Sequence, residues 1–141
     1  MRELKDIVAE KIATFLMRKL NGLHQGLIIV KSIAAYDKYQ VPMDQYPLLK
    51  VYRISDQYYA GTALRRSSMN AAYCLVLPDQ EQLAGITSVI GDEIVSTLTK
   101  DLYKETQILI SDEPRVEYRT LLSEIGQPVY AFIRVYFTVY N

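Results

Sequence analysis

Leu4, Ile7, Val8, Ile12, Phe15, Leu16, Leu20 and Leu23 recur at steps of mostly three and four, with Lys5, Asp6, Glu10, Lys11, Thr14 and Arg18 between them. Side chains at that spacing share one face of a helix, so the pattern predicts an amphipathic α-helix from about residue 2 to 20. Arg18 and Lys19 fall in its last turn, where cations meet the partial negative charge of the free carbonyls, and Asn21-Gly22 is a natural stop. Leu27–Ile33 is a β-branched run with no helical period and predicts a strand. Residues 34–46, AAYDKYQVPMDQY, read as a polar, tyrosine-rich loop leading into a strand at Pro47–Ile54, opened by a proline. SDQYYAGT then predicts a turn and a short return strand, ALRRSS a loop, and Met69–Leu77 a strand with apolar residues on both faces.

Pro78-Asp79 ends that strand and starts a second helix, with Asp79 as cap and Gln82 returning the bond. Leu83, Ile86, Val89, Ile90, Ile94 and Leu98 form its stripe, ending near Lys100. Gly85 and Gly91 lie inside it at a cost of about 1 kcal/mol each relative to alanine, which close packing of the helix on a sheet would explain. Strands at Gln107–Ile110 and Arg115–Leu122 follow, separated by the turn SDEP, and SEIGQP turns into the terminal strand PVYAFIRVYFTVYN. The order αβββαβββ indicates one α+β domain spanning 1–141, a mostly antiparallel β-sheet with two α-helices packed on one face.

At about 3.3 Å per residue the terminal strand reaches roughly 40 Å, longer than most. Its two faces differ. Val129, Ala131, Ile133, Val135, Phe137 and Val139 make an ordinary core face, whereas Tyr130, Phe132, Arg134, Tyr136, Thr138 and Tyr140 are aromatic and polar. With the helices on the first face, the second is left for a partner, unless the 34–46 and 55–66 segments fold back over it. If the partner is another copy of the chain, closed symmetry makes a ring or dimer the expected product.

Composition narrows the chemistry. Half of the 141 residues are hydrophobic and 23% are charged, a globular balance, and 16 basic residues match 16 acidic ones. A neutral total does not favour bulk capture of nucleic acid or an anionic membrane. Cys74 is alone, so no internal disulfide forms, and its apolar run predicts a buried, inert thiol and a cytosolic place of folding. The first residues lack the apolar segment of a secretory signal, and the longest uncharged run, Ser67–Pro78, is too short to span a bilayer; a soluble intracellular protein is expected. Twelve tyrosines without a tryptophan suit either strands or a wet interface.

His24 is the only histidine and reads as a solvated loop residue. No metal-ligand cluster, nucleophile with its base, or glycine-rich phosphate loop is present, so no catalytic residue, metal or cofactor is expected. Asp92/Glu93 and Asp112/Glu113 read as solvated charge, which leaves an enzyme built on a carboxylate pair the least favoured class. Arg65 and Arg66, on the expected ALRRSS loop, suit phosphates or a partner's carboxylates.

Over most of its length the chain resembles the tail terminator, or tail-completion, proteins of long-tailed bacteriophages. The likeness rests on the N-terminal amphipathic helix, the polar loop leading into YPLLKVYRI, the central helix after LPDQ, and the closing hairpin RVEYRTLLSEIGQPVYAFIRVYFTVYN. The apolar run at Leu27–Ile33 and the near absence of residues beyond the terminal strand depart from it. The resemblance implies a virion protein, made in the host cytoplasm, that forms a hexameric ring capping the tail tube and joining it to the neck. Its implied partners are further copies of itself, the tail tube protein and a neck or connector protein, with passing contact to genomic DNA and no membrane. Tyr130, Phe132, Arg134, Tyr136 and Tyr140 would then serve subunit or partner contacts. Arg65 and Arg66 would line the lumen or salt-bridge to a neighbour. Two other readings stand beside it: a small oligomeric α+β ligand-binding or regulatory module that uses the aromatic face as a pocket floor, and another type of phage neck or tail-completion protein.

Overall fold

The computed structural model describes residues 4–77, 83–111, 113–121 and 129–141. Helix α1 spans Ile7–Leu20, and the extended backbone of Asp6 sets its start, since the Asp6 carboxylate accepts the Ala9 amide at 3.1 Å. That cap places Leu4 outside the helix, fully exposed, rather than on its stripe. A single helical turn, α2 (Leu23–Gly26), follows, with His24 and Gln25 in left-handed conformation.

The strand expected over Leu27–Ile33 shrinks to β1, Ser32–Ala34. Its first half spends its backbone bonds on the preceding turns instead. Ile28 N–H donates to the Leu23 carbonyl, the Ile28 carbonyl accepts from Gly22, and Val30 N–H donates to the Asn21 side chain. Ile28 and Val30 are thereby fixed in the core while Leu27 and Ile29 face outward. The buried Tyr73 hydroxyl, its pKa pushed up to about 12 by burial, ties down the same segment by donating to the Ile29 carbonyl at 2.6 Å.

Strand β2 runs from Leu48 to Tyr58, further than Ile54, with a bulge between Arg53 and Ser55. The expected turn and return strand are therefore a continuation of β2, and the chain reverses later, with Gly61 at φ 79. Strand β3 begins at Arg65 and ends at Leu77. Arg65 to Ser68 thus belong to a strand, not to a loop, because β2 and the chain's last strand pair with them from both sides. Helix α3, Leu83–Thr106, runs past Lys100. The Asp79/Gln82 cap and the SEIGQP turn fall outside the described residues. Strands β4 (Leu109–Ile110), β5 (Arg115–Leu121) and β6 (Val129–Tyr140) complete the chain.

The sheet order is β1-β2-β3-β6, with β4 and β5 following one another along the far edge of β6. Every pairing is antiparallel except β1 with β2. The fold is α+β with a mostly antiparallel sheet, as the element order predicts. It differs from that expectation in being mixed, and in having three helices among the described residues rather than two.

Residues directly opposite in a ladder share a face, so register assigns the two sides. Met69, Ala71 and Tyr73 of β3 stand opposite Phe137, Val135 and Ile133 of β6. These join Leu49 and Val51 of β2 in one buried cluster with Ile12, Phe15 and Leu16 of α1 and Ile90, Ile94 and Leu98 of α3. Arg53 fastens α1 to the sheet. Its guanidinium holds Asp6 through two bonds of 2.9 and 3.0 Å, and also donates to Asp56 and to the buried Ser67 hydroxyl. The Arg53 bonds, working against partial burial, hold Asp6 below the usual aspartate range.

The two helix glycines differ. A methyl group on Gly91 would stand 2.8 Å from the Tyr118 hydroxyl and 3.1 Å from Val116, so α3 lies hard against β5 there, whereas nothing lies within 4 Å of one on Gly85. Urea titrations of the two alanine variants should move in opposite directions. Gly85→Ala gains up to about 1 kcal/mol from helix propensity, while Gly91→Ala loses about 1 kcal/mol or more to overpacking.

Candidate functional site

The second face of the sheet is built from alternate residues of four strands. On β6 it carries Tyr130, Phe132, Arg134, Tyr136, Thr138 and Tyr140, all half-buried. Cys74, Ala72 and Asn70 of β3 stand opposite Phe132, Arg134 and Tyr136, and on β5 Arg119 and Glu117 stand opposite Phe132 and Arg134. Leu48, Lys50 and Tyr52 extend the face across β2.

The 35–46 segment folds back over one half of it. Tyr46 meets Tyr130 edge-on at 5.9 Å between ring centroids, and the Tyr130 hydroxyl lies 3.2 Å from the Met43 sulfur. Val41, Tyr46 and Phe132 pack on a small second core of Ala34, Leu48, Ala72 and Cys74. Burial raises the Cys74 thiol to about 11, in keeping with an inert group. Tyr130 and Phe132 are thus engaged within the chain, which corrects the expectation that the whole aromatic face is left for a partner. Tyr136 carries the Arg115 guanidinium over its ring at 4.6 Å.

The structure also separates Arg65 from Arg66. As neighbours on a strand they point to opposite faces. Arg65 donates to the Asn141 side chain at 2.7 Å, while Arg66 stands exposed opposite Tyr140. His24, exposed, pairs its Nε2 with Glu93 at 2.9 Å, so one member of the Asp92/Glu93 pair is already engaged. Asp112 lies outside the described residues.

What the sequence reading missed is the charged centre of this face. Lys50 sits between apolar neighbours in PLLKVYRI and is buried, 7% exposed. Its ammonium donates to Asp37 at 2.6 Å and lies 5.5 and 5.7 Å from the ring centres of Tyr39 and Tyr52. Burial disfavours the charged Asp37, but the bonds from Lys50 and Tyr39 outweigh it and hold the carboxyl below its usual range. A lone lysine inside an apolar strand was the available signal; its partner, on a loop, was not. Beside this pair a pocket of about 240 Å³ opens, with Lys38, Lys50, Arg119 and Arg134 on its walls. Arg134 Nε and Asn70 Oδ1 are both buried without a partner among the described residues.

A larger cleft of about 670 Å³ lies between the start of α1 and β1. Its polar lining includes Asp6, already committed to Arg53, so polar groups converge less there than at the outer-face pocket. Among the described residues no group of three or more His, Cys, Asp or Glu side chains is placed to hold a metal, and no helix is long and apolar enough to cross a membrane.

Two outcomes follow from the ion pairs. Asp37→Asn leaves Lys50 buried without its counter-charge and should cost about 2 kcal/mol, less than for a fully buried pair because Asp37 still meets water. The double variant with Lys50→Met should return to within about 1 kcal/mol of the parent, as a denaturation cycle would read. Asp6, Asp37 and Asp56 all hold pKa values below the ordinary 3.8 in the folded chain. Their contribution is therefore complete above the unfolded value and lost as pH falls through the lower folded ones. Urea midpoints should stay level from neutral pH down to about 5 and drop below about 4.

No protein-family model matches the chain, and no curated protein matches it in sequence.

Proposed function

We propose that the chain is a structural ring subunit, a tail terminator that caps a phage tail tube and joins it to the neck. The observation that carries the assembly half of this reading is the end of the β2–β3 hairpin. Every residue from Ile54 to Leu64 is exposed, and Ile54, Tyr58, Tyr59 and Leu64 hold 51, 70, 39 and 45% of their surfaces in water. Nothing among the described residues covers this apolar and aromatic arm, and a neighbouring copy would.

The sheet is also open. The far side of β5, with Tyr118 and Leu121 exposed, pairs with nothing among the described residues. An arm on one edge and an unpaired strand on the other are different surfaces, and contact between different surfaces makes a ring when its rotation closes. The choice of a tail terminator rests on the resemblance in size, element order and closing hairpin. In that setting the half of the outer face around Tyr136 and Tyr140 would meet the tube or neck protein, and Arg66 would face a neighbour or the passing DNA. The second reading, a ligand-binding module, is favoured by the outer-face pocket, which has polar groups converging on it.

Native mass spectrometry over a concentration series tests the ring. A six-subunit species is expected, and the double variant Tyr58→Ser/Leu64→Ser should weaken association at least tenfold, with the melting temperature of the monomer nearly unchanged. Tyr136→Ser should impair binding to the tube end. A chain that stays monomeric at every concentration, alone and with tail tubes, would overturn this reading.

A further inference from the structure

The outer-face pocket holds more positive charge than the described residues neutralise. Arg119 and Arg134 occupy diagonal positions across β5 and β6, because Arg119 stands opposite Phe132 and Glu117 opposite Arg134. Diagonal side chains on one face reach a common group. Lys38 and Lys50 line the same pocket. Against these four cations stand two carboxylates among the described residues. Asp37 is committed to Lys50 at 2.6 Å, and Glu117 lies 3.6 Å from Arg134, too long for a hydrogen bond. Arg119 has no partner among the described residues, and the buried Arg134 Nε has no acceptor there. The great majority of buried N–H groups are satisfied, so Arg134 Nε–H calls for an acceptor that the described residues do not supply.

We propose that this pocket binds a phosphate-class oxyanion, with Arg134, Arg119 and Lys38 as its ligands and the Lys50–Asp37 pair as the fixed wall beneath. The donor set selects the ligand. Two guanidinium forks and an ammonium need three or more acceptor oxygens, which a tetrahedral phosphate offers and a carboxylate does not. The volume fits it as well, since about 240 Å³ lies below the usual range for drug-sized ligands and has room for a phosphate group with its waters. Lys38 donates one bond to Gln45 and retains two further protons. The site does not depend on ring formation.

The test is a titration of the full chain with inorganic phosphate at ionic strength balanced by chloride, read by NMR at the arginine Nε–H and backbone amide signals. A second titration uses methyl phosphate. Saturable shifts at Arg134 Nε–H and at the amides of β5 and β6 are expected. Arg119→Ala, at an exposed position, should weaken the apparent Kd about tenfold, and Lys38→Met provides an independent second variant. Arg66→Ala, at the other end of the same face, should leave binding unchanged. Binding of inorganic phosphate alone assigns a free ion, and equal binding of methyl phosphate assigns a phosphate carried on a larger molecule; both support the site. Shifts that grow without saturation, or that persist unchanged in Arg119→Ala and Lys38→Met, would overturn it. Phosphate would then act as a bulk salt, and Arg134 Nε–H would be served by water shared with Asn70.

Discussion

The long antiparallel ladder between β3 and β6 is the constraint on which the rest of the molecule depends. It sets Arg66–Leu77 against Val129–Tyr140 without a break in register. Because side chains alternate along a strand, this register decides at once what enters the core and what faces outward. A slip by one residue would place Arg134 under the helices and push Ile133 and Val135 into water. The burial of Ala131, Ile133, Val135, Phe137 and Val139 against α1 and α3 is what holds the register in place.

The outer face follows from the same alternation, but with different energetics. Its strands present aromatic rings and cations, and the 35–46 loop lies across one half of them. The loop is held by ring contacts at Tyr130 and by the Asp37 carboxylate reaching down to Lys50. Lys50 is tolerated in the middle of β2 only because that carboxylate, the Lys38 carbonyl and two tyrosine rings surround it. Arg134 has only the longer ion pair to Glu117 at 3.6 Å, with its Nε unpaired, and Arg119 has no partner among the described residues; that imbalance distinguishes the pocket from an ordinary packed face.

The exposed hairpin and the pocket occupy separate parts of the sheet. The exposed hairpin of β2 and β3 lies at the end of the sheet where β6 finishes, since Arg66 pairs with Tyr140. The pocket lies around Phe132 and Arg134. A bound oxyanion would leave the hairpin free, whereas a ring contact that reaches the open side of β5 would come close to Arg119 and Leu121 on the pocket wall.

Local periodicity determined a good deal without help. The stripe of α1, the alternation of β6, the inert Cys74 and the α+β class were all legible, because each depends on neighbours a few residues apart. The tertiary structure decided the rest. Leu27–Val30 has strand propensity but spends its hydrogen bonds on the turns after α1. Arg65 and Arg66 read as a loop but are drawn into β3 by partners on either side. Tyr130 and Phe132 looked free but are covered by a distant loop. Most consequential for the candidate site, Lys50 and Asp37 are separated by a polar stretch with no pattern of its own, and Arg119 joins Arg134 only across a strand pairing. Periodicity reports which way a side chain points; which charge it meets is settled by how far-apart segments pack.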